Sequence, residues 1–298
     1  MKAVILAGGE GVRLRPLTCR KPKPMLEILG KPVLEYTLEH LKKYGVEEVY
    51  LTLQYLPQHV MAHFGDVYEG IRLHFCLEET PLGTAGCVKQ LEKHLNETFV
   101  VISGDALTDV DLTQALACHK EKGAEATLVL KEVESPVEYG IVTLDDRGRV
   151  QRFQEKPGWS EVFSNLANTG MYILEPSVLA DIPCDGPYDF SKGLFPQMLE
   201  QERLLAGYVM EGYWCDIGSH EDYLAAQFDL LEGRCSLPVP DVGEKTGIWI
   251  APDAQVEAGA LLTPPCYVGS GCFVASGAVV GPRAVLGSGS CVERGAGV

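Results

Sequence analysis

Two arginines stand beside a run of bare backbone near the start of the chain, in Leu6-Ala7-Gly8-Gly9-Glu10-Gly11-Val12-Arg13-Leu14-Arg15. Glycines let consecutive N–H groups close on an anion, and the planar fork of arginine matches phosphate oxygens. Two well-known phosphate loops are excluded. The Walker pattern G-x-x-x-x-G-K-[ST] occurs nowhere, and the dinucleotide pattern fails because Gly9-x-Gly11 is followed by Val12, Arg13 and Leu14. What remains is a solvated strand-to-helix turn or a phosphate loop of another kind.

Lys21-Pro22-Lys23-Pro24-Met25 follows closely. Its prolines stiffen the backbone and hold each lysine extended, so a lysine here reaches the same anion as Arg13 unless the segment is a solvated loop. Glu79-Thr80-Pro81-Leu82-Gly83-Thr84-Ala85-Gly86 is a second glycine-containing loop entering a helix, or a helix start capped by Thr84. Asp105 closes the apolar run 99–102 through Ser103 and Gly104, and Asp216 has a similar setting in Trp214-Cys215-Asp216-Ile217-Gly218. A carboxylate at the end of a buried strand is costly unless it is paired or holds a metal, although each aspartate taken singly also suits a helix cap. Two of them beside anion-binding loops point to a Mg2+ ion bridging them to phosphates.

The elements that must position these residues are legible in outline. Residues 1 to about 130 alternate strand and helix signals: Pro32 opens a helix with Leu34, Leu38 and Leu41 on one face, and Gly45 closes it. Strand 46–53, helix 84–95 with Val88, Leu91 and Leu95 in phase, and the fully apolar strand 99–102 follow. Buried apolar strands separated by helices imply a doubly wound, mostly parallel sheet, with ligands beyond the carboxyl ends of its strands. Residues 139–174 read as more strand-rich, with a turn at 145–148; helices return near 191–201 and 220–232, and Pro238 and Pro240 mark a linker.

Beyond the linker the pattern changes. Ile250, Val256, Leu262, Val268, Val274, Val280, Leu286, Val292 and Val298 recur every six residues, and from Ala254 onward a small residue stands two positions before each. That period fits a hexapeptide β-helix, with aliphatic residues stacked inside and small ones in the corners. Val298 falls in phase, so either further coils follow or the open end packs on another subunit; a homo-oligomer joined through the β-helix is expected.

Composition bounds the rest. A hydrophobic content of 46% with 22% charged residues describes a globular chain, and a net charge of −16 argues against nucleic acid, whose binding needs basic surface. Local Lys and Arg must then capture anions against the overall field. No apolar run reaches a membrane span. Ten cysteines without a C-x-x-C pair suit reduced thiols, and the expected compartment is the cytoplasm.

The loop 6–18 followed by K-P-K-P-M resembles the signature of the sugar-1-phosphate nucleotidyltransferases, and P-L-G-T-A-G, G-D, E-K-P, N-T-G and W-C-D-I-G come in that family's order. With the hexads behind them, the pattern is most similar to the mannose-1-phosphate guanylyltransferase branch. The resemblance implies a Rossmann-like catalytic domain over 1–236 and a left-handed β-helix over 245–298. It implies transfer of a nucleotidyl group from an NTP, preferably GTP, to a sugar 1-phosphate, preferably mannose 1-phosphate. Residue by residue, it implies that Leu6, Gly8, Gly9, Gly11 and Arg13 hold the nucleotide. Lys23 neutralises charge at the α-phosphate, and Gly83 and Thr84 lie beside base and ribose. Asp105 and Asp216 bind Mg2+, and Gly140, Glu155, Lys156, Asn168 and Thr169 hold the sugar phosphate. One departure stands out: Ser103-Gly104-Asp105 replaces the Asn-Ser-Asp usual in that branch, which keeps glucose 1-phosphate with UTP or dTTP as an alternative pair.

Two other classes compete. A non-catalytic relative that binds nucleotide sugars is expected to have lost Arg13, Lys23 or a metal aspartate, and all are present. A bifunctional enzyme with an acyltransferring β-helix needs a histidine base there, and every histidine lies at or before His220.

Overall fold

The computed structural model describes residues 1–239 and 247–298, so Pro240 of the expected linker and the start of the 245–298 unit lie outside the described residues. The first strand, β1 (Lys2–Leu6), is fully apolar after Lys2 and runs into the glycine loop. Lys23 stands in a single 3-10 turn, and the two-residue strands β2 (Glu27–Ile28) and β3 (Lys31–Pro32) form a tight hairpin leading into α1 (Val33–Lys43). Then come β4 (Glu48–Leu53), α2 (Pro57–Phe64), β5 (Val67–Tyr68), β6 (Ile71–Leu77), α3 (Gly83–Lys89), β7 (Phe99–Ser103), β8 (Ala106–Thr108) and α4 (Leu112–Lys122). The strand-rich middle resolves into β9 (Ala126–Glu132), β10 (Gly140–Leu144), β11 (Val150–Glu155) and β12 (Leu166–Leu174), followed by α5 (Phe195–Glu200), β13 (Leu205–Val209), β14 (Trp214–Asp216) and α6 (His220–Leu231).

The large sheet is a mixed one with a parallel centre. Strands β7, β1, β4 and β6 run parallel side by side, and the antiparallel strands β12, β10 and β11 extend it beyond β7. The central strands β1 and β7 are apolar and buried on both faces, giving separate cores above and below the sheet, whereas β6 keeps Arg72 exposed. Their carboxyl ends fall level: Leu6 pairs in register with Thr52 and with Ser103. Gly8, Gln54, Glu78 and Asp105 therefore leave the sheet on one edge, where the expectation put the ligand.

α3 is shorter than the helix expected over 84–95. After Lys89 the chain tightens into i→i+3 turns, Leu91 N–H donating to Val88 and Glu92 N–H to Lys89, yet Leu91 and Leu95 stay buried. Burial phase was the legible signal; the helical hydrogen bonding was not.

The hexads occupy β15 to β22, at Ile248–Ile250, Gln255–Val256, Leu261–Leu262, Cys266–Val268, Phe273–Val274, Val279–Val280, Ala284–Leu286 and Cys291–Val292. They form three short parallel sheets in which Ile248 pairs with Cys266, Gln255 with Phe273 and Leu261 with Val279. Val268, Val274, Val280, Leu286 and Val292 form the interior, with Cys266, Cys272 and Ala278 between them. One outward face, carrying Trp249, Tyr267 and Val285, is turned onto the preceding α/β part of the chain and shares a core with Leu26, Ile28, Leu29, Ile217 and Leu230.

Candidate active site

Three side chains from distant parts of the chain meet at the sheet edge. Asp105 follows β7, and Asp216 ends β14, which pairs antiparallel with β8 so that Asp216 lies opposite Ala106. Lys23 Nζ donates to Asp105 Oδ2 at 2.5 Å and reaches Asp216 Oδ1 at 3.3 Å. Asp105 also accepts from the Ser103 hydroxyl. The lysine side chain is only 10% exposed. Its stem is fixed by Pro22, Pro24 and the 3-10 turn, so the K-P-K-P segment is no solvated loop.

Two clefts open from this point. One, of about 310 Å³, is lined by Leu6, Gly8, Gly9, Gly83 and Thr84, with Thr52, Gln54, Glu78 and Asp189 around them. The other, of about 270 Å³, takes in Arg13, Lys23, Gly140, Glu155, Lys156, Asn168, Thr169 and Asp216. Thr84, Ser103 and Asp105 belong to both, so the two spaces meet at the aspartate. A wider cleft of about 430 Å³ lies between α6 and the C-terminal strands and contains none of these residues.

Nearly every residue singled out in the sequence lines one of the two joined clefts. Gly11 does not: its carbonyl accepts from the Thr18 hydroxyl at 2.8 Å, and its left-handed backbone lies against the stem of Lys23. Arg13 belongs to the second cleft, beside Asp216 and Gly218, and not to the glycine-lined one. Thr169 lines the cleft but its hydroxyl is already donated to the Val129 carbonyl. Thr84 is not a helix cap: the Asp189 carboxylate accepts from the Thr84 N–H at 3.0 Å and from its hydroxyl at 3.1 Å, while Tyr188 O accepts from Ala85 and Gly86. A side chain at Gly83 (φ +72°) would meet the Tyr188 carbonyl at 2.6 Å, so only glycine lets the loop close on that segment. Gly140 is crowded by side chains instead, its missing Cβ lying 2.7 Å from Glu155 Oε2 and 2.8 Å from the Phe153 ring.

Ser103, Glu78, Asp189, Tyr139 and Trp214 also line the site, and sequence reasoning assigned them nothing. Ser103 was within reach of it, standing in the same S-G-D turn. Asp189 was not, because its partner Thr84 is far away in the chain. Among the described residues the Trp214 indole N–H is a buried donor with no partner. Its ring packs edge-on to Tyr139, whose hydroxyl pKa is raised to about 12 by burial and by Asp216.

A family model described as nucleotidyl transferase matches residues 2–233, the span that carries both clefts. The chain belongs to the nucleotidyl transferase family. It is 37% identical over 265 residues to UTP–glucose-1-phosphate uridylyltransferase of Synechocystis, covering 84% of this chain and 68% of that protein. It is also 37% identical over 273 residues to mannose-1-phosphate guanylyltransferase of Mycobacterium tuberculosis, covering 90% and 75%. Among solved structures, HddC from Yersinia pseudotuberculosis complexed with GMP-PN superposes with a TM-score of 0.65 at 29% identity, over 77% of this chain and 99% of that one.

These relatives make the chain a sugar-1-phosphate nucleotidyltransferase, and the charges in the site suit two anionic substrates. Burial works against the ammonium of Lys23, but Asp105 and Asp216 outweigh it and raise its pKa. Burial likewise works against Asp105, yet Lys23 and the Ser103 hydroxyl hold its pKa below the usual range. Asp216 is pushed up, by burial first and then by the charge of Asp105. The two aspartates are thus held together by Lys23, with Arg13 also acting on Asp216.

The donor set also fits a divalent metal of one kind. Among the described residues no group of three or more His, Cys, Asp or Glu side chains converges, so a cage built by the protein alone is not present. Two carboxylates do converge on the point now reached by Lys23 Nζ. Mg2+ suits such a site, since it takes one or two carboxylates and completes its shell with water and substrate phosphates.

Proposed function

We propose that this nucleotidyltransferase joins GTP to mannose 1-phosphate, giving GDP-mannose and pyrophosphate. Glu78 carries the choice of base. It lines the glycine-bordered cleft, half-buried, with Oε2 accepting from Leu82 N–H at 3.1 Å and Oε1 next to Gly8. Burial holds its pKa up. A carboxylate offers only acceptors, which suits the adjacent N1–H and N2–H2 donors of guanine. Uracil and thymine present a single N–H flanked by two carbonyls, so Glu78 would meet one donor where guanine offers two. A base lacking the matching donors is rejected strongly when a buried polar group would be left unpaired. The GMP-PN complex of HddC and the mannose-1-phosphate guanylyltransferase among the relatives favour the same reading.

Transfer needs no protein base. A phosphate monoester is largely a dianion near neutral pH, so an oxygen of the sugar phosphate attacks the α-phosphorus directly. The bond from that phosphorus to the β-bridging oxygen breaks, and pyrophosphate leaves. What the chain supplies is position and charge. Gly8, Gly9 and Gly83 border the nucleotide. Gly140, Glu155, Asn168 and Lys156 border the sugar phosphate, with Glu155 on hydroxyls and Lys156 on the phosphate. Lys23 leaves the aspartates for the α-phosphate as substrate enters, and Arg13 reaches the same group from the Asp216 side. Asp105 and Asp216 would hold Mg2+, which when bound offsets phosphate charge and favours attack at phosphorus.

The C-terminal strands complete the reading as a left-handed β-helix following a catalytic domain over 1–236. Its Leu261–Val279 face joins copies of the chain into a homo-oligomer in the cytoplasm. The Ser103-Gly104-Asp105 turn and the uridylyltransferase relative favour the second pair, UTP or dTTP with glucose 1-phosphate. Pyrophosphate release measured for GTP, UTP and dTTP against both sugar phosphates decides between them. The highest kcat/KM is expected for GTP with mannose 1-phosphate, and a preference for UTP or dTTP overturns that choice.

A further inference from the structure

The C-terminal strands touch the active site only at second hand, but through both of the segments that carry it. Downstream of Lys23, the 3-10 turn closes by Leu26 N–H donating to Lys23 O, and Val33 N–H returns to Leu26 O, so the β2–β3 hairpin is tied to the lysine's own turn. At the tip of that hairpin Leu29 (φ 46°) and Gly30 (φ 74°) both take left-handed backbone, and Leu29 is completely buried. A non-glycine residue holds that conformation only where its surroundings over-determine it. Here they do. Leu29 N–H donates to Gln227 Oε1 at 2.8 Å, and Glu27 O accepts from Gln227 Nε2 at 2.9 Å and from the Tyr223 hydroxyl at 2.8 Å.

Gln227 and Tyr223 belong to α6, whose N-cap Ser219 follows Asp216 by three residues. The hairpin behind Lys23 and the helix behind Asp216 are therefore clamped to each other. The outer side of the clamp is closed by Tyr267, which projects from the middle strand β18 and is 4% exposed. Its hydroxyl fills the space that a Cβ on Gly30 would occupy, with the ring behind it, so Tyr267 lies directly against the hairpin tip. A second tie holds the other end of α6, with Arg283 donating to Glu232.

We infer that Tyr267 is a positioning residue for the reaction: it presses the β2–β3 hairpin against α6 and so fixes Lys23 relative to Asp105 and Asp216. The C-terminal strands then serve turnover as well as assembly, because small displacements of a charge at the reacting phosphorus are costly. The inference rests on the role given to Lys23 above, and a double-mutant cycle separates the two. Tyr267→Leu keeps an apolar contact and is expected to lower kcat on the order of tenfold while both KM values stay within about twofold. Tyr267→Phe removes the hydroxyl nearest Gly30 but keeps the ring behind it, and is expected to lose less kcat than Tyr267→Leu. In a Lys23→Met background, Tyr267→Leu is expected to lower kcat no further. Equal losses with and without Lys23, or an unchanged kcat in a Tyr267→Leu protein with a lowered melting temperature, overturn the positioning role and leave Tyr267 as packing only. If Lys23→Met alone leaves kcat unchanged, the role of Lys23 fails first and the inference with it.

Discussion

At the scale of single residues, the proposed transfer rests first on Lys23, Asp105 and Asp216, and they do not contribute alike. Replacing Asp105 or Asp216 with Asn keeps the shape but removes an anionic ligand from the point where phosphate charge must be offset. Each variant is expected to lose on the order of 10²-fold or more in kcat with Mg2+ saturating. Near wild-type turnover in both would remove Mg2+ from these residues. Lys23→Met is expected to lower kcat more than it raises KM for the nucleotide, because the charge it meets grows during transfer. Lys156→Met should chiefly raise KM for the sugar phosphate, and steady-state kinetics against each substrate distinguish the two patterns. Three of these residues were legible because they stand in a local setting unusual for their charge, Asp105 and Asp216 beside apolar strands and Lys23 between prolines, whereas Lys156 was singled out only through the family resemblance. Asp189 was illegible for the opposite reason. Its local sequence is ordinary, and its role exists only because the fold brings Thr84 to it.

At the scale of elements, the site is precise where backbone meets backbone. The loop 82–86 is stitched to 188–190, and β10 lies against β11 with Gly140 opposite Glu155. Gly140→Ala would place a methyl group 2.7 Å from Glu155 Oε2 and 2.8 Å from the Phe153 ring. The carboxylate must turn away from the cleft, and KM for the sugar phosphate should rise about tenfold with kcat less affected. Titration calorimetry with the sugar phosphate checks this directly. Hydrophobic phase predicted α1, β4 and β7 well because their burial is set by the sheet they cover or form. It over-extended α3, since burial at Leu91 and Leu95 is satisfied as well by 3-10 turns as by a helix.

One buried histidine gives this layer a pH signature. His40 on α1 faces the Val110 carbonyl at 2.8 Å, and burial lowers its pKa below the ordinary value, against which the hydrogen bond and Asp109 and Asp111 act weakly. The unfolded chain then binds a proton before the folded one as pH falls. Stability is full above about pH 6.5 and declines as pH drops below it toward the lowered folded value. His40→Gln is expected to flatten that part of the decline in urea melts between pH 7 and 5; an unchanged slope overturns the assignment.

At the scale of the molecule, the hexads were the easiest feature to read and their surroundings the hardest. A repeat of six specifies which side chains stack inside, and the buried row Val268 to Val292 obeys it. It says nothing about the three outward faces, which differ sharply. The Trp249–Tyr267–Val285 face is covered by the nucleotide-binding half. On another, Leu261 and Val279 pair in register and point outward with 58% and 42% of their surface exposed. Adjacent exposed aliphatic side chains on a flat strand stack suit a matching surface on a second copy, where burial of each contributes roughly 1–2 kcal/mol. The proposed oligomer therefore uses this face, and neither Leu261 nor Val279 lines the joined clefts. Leu261→Glu with Val279→Glu should dissociate the assembly, because two buried like charges would face their copies, while kcat and both KM values remain close to wild type. Light scattering at micromolar concentration reads the mass. A wild-type chain that is monomeric there, or a double variant that keeps the oligomer, rules this face out as the joint.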